Sequence, residues 1–100
     1  MPVPLWSALQ LAKDEILVNA VSPGGIASES LVGWATSVGV DASDPYRLMD
    51  AIAEHFGHLA RRPRVGLPHE MGSVLAFLAS RRNSYMTGAN VTVDGGSDFT

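Results

Sequence analysis

Three histidines and a glutamate stand close enough in the sequence to suggest a metal site. His55 and His58 are three residues apart on a predicted helix, Glu54 is adjacent, and His69 follows farther along the chain. A zinc site needs three or four ligands on converging faces. Two helical histidines without an obvious third ligand are more often surface residues, so the pattern favours no metal.

A second candidate is the turn after the first apolar run. Pro23-Gly24-Gly25 follows that run, and Ser28 comes shortly afterwards. At the carboxyl end of a strand, such a turn exposes backbone amides and a hydroxyl to a ligand in the crevice of a sheet. The alternative is that the glycines only end the strand and Ser28 only caps a helix. Taken alone, the alternative is favoured, because caps and turns are common.

The spacing of apolar side chains predicts the elements that position these residues. Residues 4–14 show helical spacing, with Pro4 in the first turn. Ile16–Val21 is a nearly continuous apolar run, typical of a strand covered on both faces and stopped by Ser22-Pro23. Ser28 predicts the start of a second helix that Gly39 closes. Asp44-Pro45 predicts the start of a third, whose apolar face comprises Leu48, Ile52, Phe56 and Leu59.

The last part of the chain predicts one more helix and a second strand. Residues 68–80 form the helix, with one face made of Met71, Val74, Leu75 and Leu78. Val91 and Val93 alternate with polar residues, and Gly95-Gly96 ends this strand. Two apolar strands joined by a long helical crossover predict an α/β fold, a right-handed βαβ unit with two parallel strands. The first strand then has only one neighbour, so we expect part of the sheet to lie outside this chain.

Composition narrows the possible functions. The 100 residues suit one small domain, are 46% hydrophobic and 17% charged, and carry a net charge of −3 without cysteine. The acidic balance disfavours nucleic-acid and anionic-membrane partners, and the arginine clusters at 61–64 and 81–82 are interpreted as solvated helix ends. The absence of cysteine excludes disulfides and thiolate chemistry. Without a signal-peptide pattern at residues 1–4 or a long apolar run, we expect a cytoplasmic protein.

Several segments taken together resemble the C-terminal part of the short-chain dehydrogenase/reductase family. They are Val18-Asn19-Ala20-Val21-Ser22-Pro23-Gly24, Arg64-Val65-Gly66-Leu67-Pro68-His69-Glu70, Phe77-Leu78-Ala79-Ser80, Ser84-Tyr85-Met86-Thr87-Gly88 and Val93-Asp94-Gly95-Gly96. The resemblance implies a partial Rossmann-type fold, with residues 1–100 as one truncated domain, and NAD or NADP as the cofactor. It also implies that Pro23, Gly24, Ile26 and Ser28 flank the nicotinamide, and that residues 29–62 shape a substrate pocket.

Two motifs of that family are absent from the sequence. No glycine-rich turn for the pyrophosphate is present, and Lys13, the only lysine, has Leu9 four residues before it. The family's tyrosine needs a lysine four residues on to lower its pKa for proton transfer. We therefore assign no catalytic residue, and interpret Tyr85 as a packing aromatic whose hydroxyl finds a local partner.

Two hypotheses remain for the function. The first is a C-terminal segment of an NAD(P)-dependent reductase, inactive alone and completed by a missing N-terminal portion. The second is a non-catalytic oligomerisation or assembly module derived from such an enzyme, and a homo-oligomer is the expected state. Trp6, Trp34 and Met49 could line a substrate pocket, the core or an interface, and the unpartnered strand favours an interface.

Overall fold

The computed structural model describes residues 3–57 and 60–97, and the side chains from residue 5 onward. Within these ranges the elements are α1 (Val3–Leu11), a 3-10 turn (Ala12–Asp14), β1 (Ala20–Pro23), α2 (Glu29–Ser37), α3 (Pro45–Phe56), α4 (Pro68–Ala79) and β2 (Asn90–Val93). This α/β order matches the predicted one. The chain divides into two compact units, whose described parts are residues 3–22 with 72–92, and residues 23–57 with 60–71 and 93–97.

The two strands form a parallel pair in the order β1-β2. The Ala20 amide donates to the Ala89 carbonyl at 2.9 Å, and the Gly24 amide donates to the Val93 carbonyl at 2.9 Å. Both strands advance together between these bonds, which makes them parallel, as predicted. In β2, Val91 and Val93 are half-buried and Asn90 and Thr92 are exposed, so the predicted alternation is confirmed.

The predicted position of β1 is wrong by several residues. The strand spans Ala20–Pro23 instead of 16–21, and Pro23 belongs to it. The first part of the apolar run contacts a turn, because the Val18 amide donates to Thr87 Oγ1 at 3.0 Å and its carbonyl accepts from the Gly88 amide at 2.8 Å. β1 is also not covered on both faces: residues 20–22 are half-buried and Pro23 is exposed.

Two asparagine side chains form several of the hydrogen bonds within the unit of residues 3–22 and 72–92. Asn19 Nδ2 donates to the Met86 carbonyl at 2.9 Å, and Asn19 Oδ1 accepts from the Ala89 amide at 3.0 Å. Asn83, only 7% exposed, binds both the amide and the carbonyl of Met86 through its side chain. Two predictions fail here. Tyr85 is 96% exposed instead of packed, and Leu75 is exposed although it was placed on the apolar face of α4.

The unit of residues 23–57, 60–71 and 93–97 contains the larger core. Its buried cluster comprises Ala35, Leu48, Met49, Ile52, Ala60 and Val65. Met49 is therefore core, not the interface residue that the sequence favoured. Phe56 is exposed although it was predicted on the buried face of α3, and the predicted position of Leu59 lies outside the described residues.

Helix caps explain where α2 and α3 begin. Ser28 Oγ accepts from the Leu31 amide at 3.3 Å, and Asp44 Oδ1 accepts from the Tyr46 amide at 2.9 Å. Each bond satisfies an amide that the first helical turn leaves without a backbone partner. Both caps were predicted from the sequence, and so was Gly39, which follows α2 with φ of +81°.

Candidate functional site

Gly24 places the turn directly against the end of β2. A Cβ atom at Gly24 would lie 2.6 Å from Asp94 Cβ and 2.8 Å from Asp94 Cα. Both neighbours are close to the backbone and cannot rotate away, so only glycine fits here. The sequence explained this residue by turn flexibility, whereas the structure explains it by the close approach of two backbones.

Ile26 lies in a short parallel bridge with Gly66. The Gly66 amide donates to the Gly25 carbonyl and the Ala27 amide donates to the Gly66 carbonyl, each at 2.8 Å. In a parallel bridge of this pattern, Gly66 binds the residues that flank Ile26, so the amide of Ile26 itself points away from Gly66. A Cβ at Gly66 would lie 2.7 Å from Ile26 Cδ1, the far end of a side chain, so a larger residue there would require Ile26 to change its position.

Ser28 follows the bridge and begins α2. Its amide donates to the Ile26 carbonyl at 2.6 Å, which closes the turn tightly. Its hydroxyl oxygen accepts the capping bond from Leu31, and a hydroxyl that accepts one bond still has its own proton to donate. The capping role of Ser28 is confirmed, while its contact with a cofactor stays a prediction.

These residues meet in one open groove of about 510 Å³, here called the turn groove. It is lined by Pro23, Gly24, Gly25, Ile26, Ser28, Ser30, Leu31, Trp34 and Phe56. All four sequence-predicted cofactor residues lie on it. None of the lining residues is charged, so the groove suits a neutral, flat group that hydrogen-bonds through an amide or a hydroxyl.

An aromatic wall borders the turn groove. Trp34 was one of the residues that could line a pocket, although an interface was favoured, whereas Phe56 was not expected there. The rings of Trp34 and Phe56 lie 5.2 Å apart at 42°, and His55 meets Trp34 edge-on at 5.2 Å. Phe56 is 65% exposed, so it lines the groove instead of the core. Its helical spacing with Leu48 and Ile52 hid this role, because one-face periodicity alone cannot separate core residues from groove residues.

A second feature that the sequence missed is an ion pair beside this turn. Arg64 Nη1 and Nη2 donate to the two carboxylate oxygens of Glu70 at 2.8 and 3.0 Å. The Leu67 amide also donates to Glu70, at 2.9 Å. Arg64 first, and then this amide, lower the pKa of Glu70 from 4.5 to about 2. Arg64 is therefore a paired and mostly buried residue, not the solvated helix end that we expected.

Two further classes of site can be judged from the described residues. Within 3–57 and 60–97, no three histidine, cysteine, aspartate or glutamate side chains are grouped to hold a metal ion. His58, one member of the suspected cluster, lies outside these ranges. No helix in the same part of the chain is both long enough and apolar enough to cross a bilayer.

The match to a known family decides what kind of protein this is. Residues 6–98 match the family model described as enoyl-(acyl carrier protein) reductase. The chain belongs to the short-chain dehydrogenase/reductase family. It is 34% identical over 89 residues to an uncharacterised oxidoreductase, YxbG, of Bacillus subtilis, covering 89% of this chain and 30% of that protein. It is 32% identical over 94 residues to a diacetyl reductase of Staphylococcus aureus, covering 93% and 35%.

Solved structures of the same family share the fold. The L-sorbose reductase of Gluconobacter frateurii, in complex with NADPH and L-sorbose, matches with a TM-score of 0.79 at 30% identity over 97% of this chain and 36% of that one. The ligand-free aldohexose dehydrogenase of Thermoplasma acidophilum matches with a TM-score of 0.74 at 36% identity, over 98% and 37%. The chain thus spans about a third of the length of the relatives it matches.

Proposed function

We propose that this chain is the C-terminal segment of an NAD(P)-dependent oxidoreductase and that the turn groove receives the nicotinamide end of the cofactor. A bound nicotinamide supplies or accepts the hydride that interconverts an alcohol and a carbonyl. The chain itself contributes binding and orientation. Ile26 offers its amide, Ser28 offers its hydroxyl, and Pro23 and Gly24 support the face of the ring.

One observation carries this proposal: the four residues implied by the family resemblance converge on a single uncharged groove. The nicotinamide carboxamide is neutral and both donates and accepts hydrogen bonds. For the reduced cofactor, whose nicotinamide ring is uncharged, a groove with a hydroxyl, backbone amides and an apolar wall provides matching partners without the desolvation of a charge. The aromatic wall of Trp34 and Phe56 then faces the substrate side of the same groove.

The chain alone does not supply the chemistry of proton transfer. Neither Tyr46 nor Tyr85 has a lysine four residues on, and Tyr85 is almost fully exposed. The protein segments that carry the pyrophosphate site and the catalytic pair in this family must come from elsewhere. We therefore expect no turnover, and only weak cofactor binding, from the 100 residues alone.

An NMR titration of the isotope-labelled chain with NADPH tests the proposed site. We expect shifts confined to the amides of residues 24–28, with a dissociation constant of about 1 mM or weaker, equivalent to at most about 4 kcal/mol. Ser28→Gly keeps most of the capping ability but removes the hydroxyl, so it weakens binding about fivefold. Ser30→Ala, on the same groove, is the matched control and leaves binding unchanged. Shifts distributed elsewhere, or micromolar binding by the chain alone, would contradict the proposal.

A second function, as an assembly module, is favoured by the apolar surface of residues 3–22 and 72–92. Among the described residues of this unit, large exposed hydrophobic side chains are numerous: Trp6, Leu9, Ile16, Leu75, Phe77, Tyr85 and Met86. Exposed apolar surface on this scale commonly marks a protein interface. We propose that this unit associates with a second copy of the chain or with the segment that completes the enzyme.

A further inference from the structure

The Arg64–Glu70 pair lies at a cavity that adjoins the turn groove. This second cavity, of about 240 Å³, is lined by Arg64, Gly66 and Glu70 and shares Gly25 and Ile26 with the turn groove. The side chain of Arg64 is 19% exposed and that of Glu70 is 38% exposed. Two parallel hydrogen bonds fix the relative orientation of a guanidinium and a carboxylate, which a single contact does not.

Hydrogen bonds connect this pair to the turn without interruption. Arg64 Nη1 also donates to the Val65 carbonyl at 3.0 Å, so the guanidinium is bonded to the peptide group that joins Val65 to Gly66. The next residue, Gly66, forms both bonds of the bridge to Gly25 and Ala27. At the other end, Glu70 accepts from the Leu67 amide, which fixes the start of α4 in the manner of the second half of a capping box.

The second cavity explains why the pair matters for position. The cavity leaves one side of Gly25 and Gly66 open, whereas core side chains pack against the other side: a Cβ placed on Gly25 would lie 3.0 Å from Ile52 Cδ1 and 3.6 Å from Val65 Cγ1. A wall without packed neighbours loses the contacts that resist displacement. On the cavity side, the location of the bridge depends on directional bonds. Gly66 binds Gly25 and Ala27, about forty residues away in the chain, and Arg64 and Glu70 hold the segment that carries Gly66.

We propose that Arg64 and Glu70 are positioning residues that set where the turn at 25–28 lies, and thereby how closely Ile26 and Ser28 approach the nicotinamide. Among the described residues, no hydrogen bond of Arg64 or Glu70 reaches Ser28, so the pair acts on the turn through Gly66. In an active enzyme, misplacement of a group that orients the reactants by about 1 Å can cost about a hundredfold in rate. The effect of the pair on cofactor binding rests on the proposed function, whereas its effect on the position of the turn at 25–28 is independent of that function.

Amide hydrogen exchange of the whole chain, without cofactor, tests the control of the turn. Arg64→Met keeps an unbranched side chain in place of the arginine stem, removes the guanidinium, and leaves the bond between Glu70 and Leu67. We expect exchange of the Gly66 and Ala27 amides to accelerate about tenfold more than exchange of the Ile52 amide in the middle of α3, because the loss is local. Arg64→Lys keeps the charge without the two-pronged geometry and gives a smaller increase at the same two amides.

Ala35→Gly is the control for a general loss of stability. It removes a fully buried methyl group from α2, outside the pair and the bridge. Exchange in this variant accelerates by a similar factor at Gly66, Ala27 and Ile52. If Arg64→Met gives the same uniform acceleration, the pair only contributes stability and the inference is wrong.

A parallel NADPH titration separates this inference from the proposed function. Arg64→Met weakens the NADPH-induced shift of the Ile26 amide several-fold, while Ala35→Gly does not. If the unmodified chain shows no response to NADPH at residues 24–28, the proposed function fails, and the exchange result still decides whether the pair holds the turn. Unchanged NADPH affinity in Arg64→Met, with the turn loosened, would overturn the link to the cofactor.

Discussion

At the scale of single residues, Gly24 is the glycine at which an added Cβ would come closest to a neighbouring atom. In Gly24→Ala the new methyl group would lie within van der Waals distance of both Asp94 Cα and Cβ, so the backbones must separate. We expect the free energy of unfolding to fall by about 1–3 kcal/mol, as for other overpacked sites. Chemical denaturation followed by far-ultraviolet circular dichroism measures the change.

Gly33→Ala is the matched control for that substitution. Gly33 lies inside α2, and nothing stands within 4 Å of a Cβ placed there. Alanine is the better helix former, so this variant gains up to about 1 kcal/mol. Equal stability of Gly24→Ala and the unmodified chain would show that β2 can move away from the turn.

The Glu70 carboxylate makes the stability of the folded chain depend on pH. Because the folded pKa of about 2 lies below the ordinary value of 4.5, the ionised carboxylate stabilises the folded state above pH 4.5, and this contribution disappears as the pH falls toward 2. Glu70→Gln lacks this titration. Urea denaturation at about pH 6 and about pH 2.5 should therefore show a larger loss of stability in the unmodified chain than in the variant. Parallel curves for the two proteins would contradict the ion pair.

Sequence reasoning succeeded at residues whose role is local and failed where the role depends on a distant partner. Ser28 and Asp44 cap helices that begin immediately after them, and both were predicted. The bond from Arg64 to Glu70 crosses a loop, and its only sequence signal is a glutamate three residues after Leu67. The exposure of Tyr85 and the burial of Met49 depend on tertiary packing, which a residue's own chemistry does not determine.

At the scale of elements, the start of α3 depends on one side chain. Asp44→Ala removes the acceptor for the Tyr46 amide and should cost about 1 kcal/mol of stability. Asp44→Asn keeps an acceptor oxygen and should retain most of the stability that the cap contributes. This variant separates the effect of the capping hydrogen bond from the effect of the carboxylate charge. Thermal unfolding of the unmodified chain and the two variants measures the order of their stabilities. A loss in Asp44→Asn as large as in Asp44→Ala would assign the effect to the carboxylate charge instead.

The position of β1 shows what composition could not determine. The apolar run at 16–21 satisfies the pattern of a strand, yet the strand begins at Ala20 because pairing follows the register of β2. The backbone groups of Val18 are bonded to the turn at 84–88: its amide donates to the Thr87 hydroxyl, and its carbonyl accepts from the Gly88 amide. A strand that pairs with one partner takes its bounds from that partner, which lies about seventy residues away in the chain.

At the scale of the whole molecule, the proposed assembly predicts self-association. Trp6 is 54% exposed and Leu75 is 50% exposed, both in the unit with most of the exposed apolar side chains. We expect the chain to sediment as a dimer or larger species, and Leu75→Glu to shift it toward monomer by placing a charge in the contact. Val38→Glu, on an exposed residue of the other unit, should leave the distribution unchanged. A monomer at all concentrations would exclude the assembly role for this chain alone.

The two tryptophans fall one in each compact unit, which gives each unit its own optical reporter. Trp6 is largely in water, whereas Trp34 is half-buried against Phe56 and the edge of His55. Emission from Trp6 in a Trp34→Phe chain is therefore expected at longer wavelength than emission from Trp34 in a Trp6→Phe chain. Superimposed melting curves from these two single-tryptophan proteins would mean that the halves denature in one step, and separated curves would reveal a half-folded intermediate.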